Sequence, residues 1–288
     1  MMSRVPEEDW DITITPKSSL FDLRIKDTWH YRDLLLLLVR RDFVAFYKQT
    51  ILGPIWFFVQ PIITILIYNL VFNNLAQIPT DGIPGPLFYL AGTILWNYFA
   101  ECLTKTSTVF KDNAAVMGKV YFPRLIMPLS IVLSNLVRFA VQFILFLILM
   151  GIEWTKGYAI APNAGLLLFP VLILIIAALG LGLGMMISAV TTKYRDLAFV
   201  VTFGVPLLMY TTTVIYPLST AVAKYPAYSW IIKFNPVTAV IETLRYGFLG
   251  KGSFSWGLLG YSAGITAIIL LLGIIIFNKV EKTFVDTV

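Results

Sequence analysis

YRDLLLLLVRRDFVAFYKQTILGPIWFFVQP, residues 31–61, opens as a helix with its charges on one side. It runs, across Gly53-Pro54, into the first long apolar segment of the chain. Leu34, Leu35, Leu38, Val39, Phe46 and Tyr47 can share one side of the wheel. Arg32, Asp33, Arg40, Arg41 and Lys48 fall largely elsewhere. That pattern is expected of a helix lying in a membrane interface, where basic residues are drawn to anionic lipid. Proline fits the first turn of a helix, where its missing N–H costs nothing, so a crossing helix is expected to start at Pro54.

The rest of the chain is built from such crossings. Hydrophobic residues make up 58% of its 288 residues and charged residues 13%, against about 25% charged in a soluble domain. Uncharged runs cover 49–80, 82–100, 157–192, 197–223 and 252–278, and 125–150 is interrupted only by Arg138. About 20 apolar residues cross the hydrocarbon core, and there the backbone must satisfy its own hydrogen bonds, so these runs are helices. The expectation is an all-α polytopic membrane protein with six spans, roughly 54–77, 84–106, 125–150, 163–190, 197–219 and 255–278. Ahead of them stand a segment 1–28 and the interface helix within 29–52, so the six-span domain occupies 53–288.

Counting Lys and Arg orients the chain. With six spans, segments 1–53, 105–124, 191–196 and 279–288 share one side and hold 16 of the 22 basic residues, against five opposite. Both termini are therefore expected in the cytoplasm. The formal charge of +6 is spent on this bias and implies no nucleic acid. MMSRVPEEDWDITITPKSS is acidic and lacks an apolar core, so it does not read as a signal peptide. The long loop 217–255 is too polar to span and too apolar to be free. Tyr228–Ile232 and Val237–Leu249 are expected as two short external re-entrant helices, with Asn235-Pro236 between them.

Polar residues inside the spans carry the functional signal. Phe57, Pro61, Thr64 and Tyr68 recur at helical spacing in the first, beside Gln60. This face suits helix packing or the wall of a path, and the two are compatible. Ser134, Asn135, Arg138 and Gln142 form a stripe on the third. A charge at the middle of a span costs about 2.5–3.5 kcal/mol or more unless compensated, so Arg138 must face protein or water. Glu101, on the neighbouring antiparallel helix, is the nearest counter-charge, and the two are expected to pair. Phe199, Phe203 and Tyr210 share a face of the fifth span.

Catalytic chemistry finds no home. One Cys (Cys102) and one His (His30) cannot build a metal site. GFLGKGS at 247–253 has two residues between its glycines where a phosphate loop needs four. The chain itself is not expected to hydrolyse ATP, and no acidic pairs suit a glycan-modifying enzyme.

KQTILGPIWFFVQP (48–61), YLAGTILWNYFAECL (89–103), GKVYFPRLIMPLS (118–130) and TKYRDL (192–197) together resemble the permease subunits of bacterial polysaccharide ABC exporters. These are the O-antigen and teichoic-acid type of the ABC type 2 superfamily. The resemblance covers about residues 30–280. It implies a homodimer bound to two copies of a separate ABC ATPase, which would hold the ATP and magnesium, and it implies a lipid-linked polysaccharide as cargo. Residues 110–122, with Phe110, Lys111, Asp112, Asn113, Met117, Lys119 and Tyr121, would correspond to the element that couples to the ATPase. Sugars offer C–H faces to aromatic rings and hydroxyls to amides, which suits Phe57, Gln60, Tyr68, Phe199, Phe203 and Tyr210 as a path. Arg40, Arg41 and Lys48 sit where a carrier's pyrophosphate would arrive, or they serve as ordinary positive-inside anchors. The same architecture with a drug or lipid as cargo is the alternative.

Overall fold

The computed structural model describes residues 29–48, 50–51, 53–117, 122–194 and 196–284. Segment 1–28 lies outside them, and so do Lys119 and Tyr121. Among the described residues every regular element is helical. Four segments among the described residues are long and apolar enough to cross a membrane: Trp56–Leu75, Ile126–Thr155, Ala164–Thr191 and Trp256–Val280.

In chain order α1 is Arg32–Tyr47 and α2 is Trp56–Tyr68, which continues as a π-helical turn over Asn69–Leu75. Helix α3, Gly85–Ser107, is followed by two single-turn helices, α4 (Val109–Asp112) and α5 (Ala114–Met117). Then come α6 (Ile126–Thr155), a 3-10 turn over Ala164–Leu168, and α7 (Phe169–Thr191). Helix α8, Leu197–Leu208, ends in a 3-10 turn, Met209–Thr211. Three short helices, α9 (Leu218–Lys224), α10 (Ser229–Lys233) and α11 (Pro236–Leu249), precede the long α12, Trp256–Phe284.

Helix α3 is the centre. Its 23 residues span about 35 Å at 1.5 Å per residue, yet it is not among the four strongly apolar segments. The reason is burial: Leu87 to Leu95 are almost all inaccessible, packed between α6 and α7. A helix wrapped by other helices can carry Thr93, Asn97, Glu101 and Lys105, which a lipid-facing helix cannot.

Small residues bring the helices together. A side chain at Gly180 or Gly184 would strike Cys102 or Thr106 of α3, and one at Gly182 would strike the Leu270 backbone of α12. Three glycines two apart therefore join α7 to two neighbours on opposite sides, the close approach that membrane helices use. At one end of the bundle, phenylalanines 139, 143, 146, 169 and 248 stack between α6, α7 and α11. At the other end Leu38 of α1 joins Phe110, Met117, Ile126 and Phe277 in a second apolar cluster, with Phe110 and Phe277 stacked at 4.6 Å.

Two of the expected elements gain detail here. The apolar stripe of α1 packs on the bundle, with Leu34, Leu35 and Leu38 against this second cluster, while Leu36 and Leu37 are exposed. Amphipathicity has the same signature for either partner. The segment expected to cross over 197–219 is helical only to Thr211, about 22 Å, short of a 30 Å core. Pro206 has no N–H to give, and Thr212 turns extended at φ −119°, ψ 169°. The loop beyond it holds three short helices, and α11 is no surface piece, since most of it is buried.

Replacing Gly182 or Gly184 by Val should cost about 1–3 kcal/mol through overpacking and lower the melting midpoint in detergent by several degrees. Gly264→Ala, at a position with nothing within 4 Å, should leave it unchanged.

Candidate functional site

Between α2, α3, α6 and α8 lies a cleft of about 510 Å³. From α2 it takes Phe57, Gln60, Pro61, Thr64 and Tyr68, the face that the helical spacing singled out. From α3 come Trp96, Asn97, Glu101, Thr104 and Lys105, and from α6 Asn135, Arg138, Phe139 and Gln142. Helix α8 contributes Thr202, Val205, Pro206 and Met209. The walls thus mix flat rings with amides and hydroxyls, and they hold one carboxylate and two cations.

The charges form a network on one side of the cleft. Arg138 Nη1 donates to Glu101 Oε2 at 3.0 Å. Lys105, one turn from Glu101, pairs with the same carboxylate and donates to Asn135 Oδ1 at 3.2 Å. Glu101 is 44% exposed and Arg138 20%, so the cluster opens onto the cleft while the opposite side of α3 is buried. Exposure at this depth avoids the full desolvation cost that buried pairs meet.

Lys105, Asn135 and Arg138 also line a second hollow of about 400 Å³ between α1, α3, α4 and α6. Its outer wall carries Arg41 and Asp42, paired at 2.8 Å, with Ser134 Oγ donating to Asp42 at 3.3 Å. The two hollows meet at these three residues, and together they make up a polar groove from the α1 end of the bundle to the cleft. Arg40 and Lys48 are exposed and lie outside its wall.

The groove ends where α2 and α8 meet. Tyr68 Oη contacts Met209 Sδ at 3.8 Å, and Tyr68 packs edge-on to Phe72 and Tyr89. The face of α8 that carries Phe199, Phe203 and Tyr210 points away from the cleft, leaving them 78%, 70% and 53% exposed. Thr202, Val205, Pro206 and Met209 take the inward face instead. Thr202 is the only polar residue among Leu197–Leu208, and it was the one sign of which side faces water.

In the segment after α3, Phe110 and Met117 are buried, Asn113 is half-buried and bonded to Val109 O, and Lys111 and Asp112 are exposed. Asp112 accepts from Thr108 Oγ1 at 2.6 Å. Among the described residues no group of His, Cys, Asp and Glu could hold a metal ion.

Sequence reasoning missed Lys105 and Asn97 as partners of the wall that the Arg138 and Gln142 stripe helps to form. It also passed over Arg245, counted only as a loop charge, which is 1% exposed beside Glu242.

Arg138→Glu should sharply reduce folded protein in the membrane, and adding Glu101→Arg should recover part of it. Fluorescence-detected size exclusion measures both, and no recovery would contradict the pairing.

A family model described as "ABC-2 type transporter" matches residues 33–249. The chain is 28% identical over 265 residues to an O-antigen export system permease protein of Myxococcus xanthus, covering 92% of this chain and 98% of the relative. It is 27% identical to a protein of that description from Klebsiella pneumoniae, covering 88% and 94%. It is 24% identical to the polysialic acid transport protein of Escherichia coli, covering 82% and 89%.

Proposed function

The chain belongs to the ABC-2 type transporter family, and we propose that it is the membrane subunit of an ATP-driven exporter of a lipid-linked polysaccharide. It is a transport permease and not an enzyme. The observation that carries the cargo is the groove, in which rings and amides alternate along a wall beginning beside basic residues. A glycan needs many weak contacts of both kinds, because tight ones would stop it moving. The relatives' descriptions, O-antigen export and polysialic acid transport, support the same class.

In this reading six segments cross the membrane, α3 and the short α8 among them, and both termini are cytoplasmic in the inner membrane. The carrier's pyrophosphate is met at the α1 end by Arg41, with Lys105 and Arg138 behind it. The glycan then follows the cleft past Phe57, Gln60 and Tyr68. Two copies of the chain work with two copies of an ATPase, which binds ATP and magnesium. Phe110 and Met117 hold the coupling segment to the bundle, so what it offers the ATPase is Lys111 and Asp112. The exposed aromatic face of α8, Phe199 and Phe203, is left for lipid or for the second copy.

A strain lacking this gene should lose its surface polysaccharide and accumulate lipid-linked glycan at the inner leaflet. The chain should co-purify with an ATPase bearing a phosphate loop. Normal surface glycan in that strain would overturn the cargo and favour a drug or lipid.

A further inference from the structure

The stretch after α8 is the most buried non-helical backbone in the described chain. Thr212, Thr213 and Val214 are 0% exposed and Ile215 is 2%. The helix just before them is exposed along Phe199, Val200, Phe203, Leu207 and Leu208. Backbone without a helix at membrane depth must find its hydrogen-bond partners in protein. Here one side chain supplies them. Arg245 Nη1 donates to Thr213 O at 2.6 Å, and Nη2 donates to Val214 O and Phe88 O, each at 3.2 Å.

The guanidinium is itself held. It lies 3.6 Å from the centre of the Phe88 ring and 3.3 Å from Glu242 Oε1, while Glu242 Oε2 accepts from Ser253 N at 2.9 Å. A Cβ at Gly92 would come within 2.9 Å of Nη2 and 3.0 Å of Val214 Cα, so the absent side chain lets the segment lie against α3. Two flanking ties secure it. Asn235 Nδ2 donates to Thr211 Oγ1 at 3.1 Å, and Ser219 Oγ donates to Asp81 at 2.9 Å.

We propose that Arg245 is the fixed anchor of a hinge at Met209–Thr211 about which α8 moves, and so a positioning residue for transport. This rests on the reading of the cleft as the cargo path. Below the anchor, Pro206 interrupts the hydrogen-bond ladder and a 3-10 turn replaces the α-helix, both of which soften the chain. Met209, the last cleft residue of α8, touches Tyr68 just before the π-helical turn of α2. Rotation about this point opens the cleft along its length and leaves the segment bound to α3 in place. Arginine is required because three carbonyls lie in different directions, and a planar fork reaches them where a single ammonium does not.

The test uses the full complex with its ATPase, in lipid, with Arg245→Lys. This variant keeps the charge beside Glu242 and loses the fork. Spin labels at Thr202→Cys and Gln142→Cys, in a Cys102→Ala background, report the α8–α6 distance with nucleotide and without cargo. The expected result is normal assembly, export reduced at least tenfold, and a broadened distance distribution. Wild-type export would overturn the proposal, and so would lost export with an unaltered distribution, since Arg245 would then act other than through α8. If the variant does not assemble, hydrogen exchange on the wild-type complex decides. Nucleotide should change exchange in 197–211 and leave 212–216 unaltered, and equal change in both would overturn the hinge. The distance distribution and the exchange pattern contain no cargo, so a wrong assignment of the path leaves those two readouts intact.

Discussion

A charged pair at membrane depth has to be kept from lipid, and the position of Glu101 and Arg138 governs this molecule. Glu101 lies on the most enclosed helix, and its pairing with Arg138 and Lys105 forces the open side of α3 to face water. Helices α6 and α7 cover the other side, α7 so closely that Gly180 and Gly184 have no room for a side chain. What remains is a bundle dry on one flank of α3 and wet on the other, and the groove is that wet flank. Helices α2 and α8 border it, and both depart from regular geometry near Tyr68 and Met209.

In the proposed cycle the wall that stays would be α3 with α6, α7 and α11, joined by apolar packing and by the Arg245 fork. The wall that moves would be α2 and α8, whose outer faces are largely exposed. The α1 end unites the groove with the surface that a second subunit would press. Asp42 and Ser134 connect α1 to α6 there, and Phe43 stacks on Phe57 at 5.8 Å. These contacts join α1 directly to both α6 and α2.

Much of this was legible in the sequence, because membrane helices announce themselves by length and polarity. The apolar runs, the α1 helix, and the Phe57–Tyr68 face could all be read from spacing. Glu101 and Arg138 sit on adjacent antiparallel helices, where few partners compete. The rest was hidden for physical reasons. Helix α8 is apolar all round, so only Thr202 marks the side that lines the cleft, and the aromatic face that the spacing singled out lies opposite it. The break at Thr212 follows from contacts made by Arg245, thirty-three residues later. A charge count treats every Arg as solvated, and this one is enclosed by carbonyls. The apolar stripe of α1 would look identical whether lipid or protein covered it.

The central claim is that the polar groove of this chain is the path its cargo takes. A photo-reactive amino acid placed at Thr64, Gln142 or Thr202 in the working exporter tests it most directly. Irradiation during export should attach glycan at all three positions and at neither Phe199 nor Phe203, whose side chains face away. Glycan attached at Phe199 and Phe203 but absent from the groove positions would contradict it.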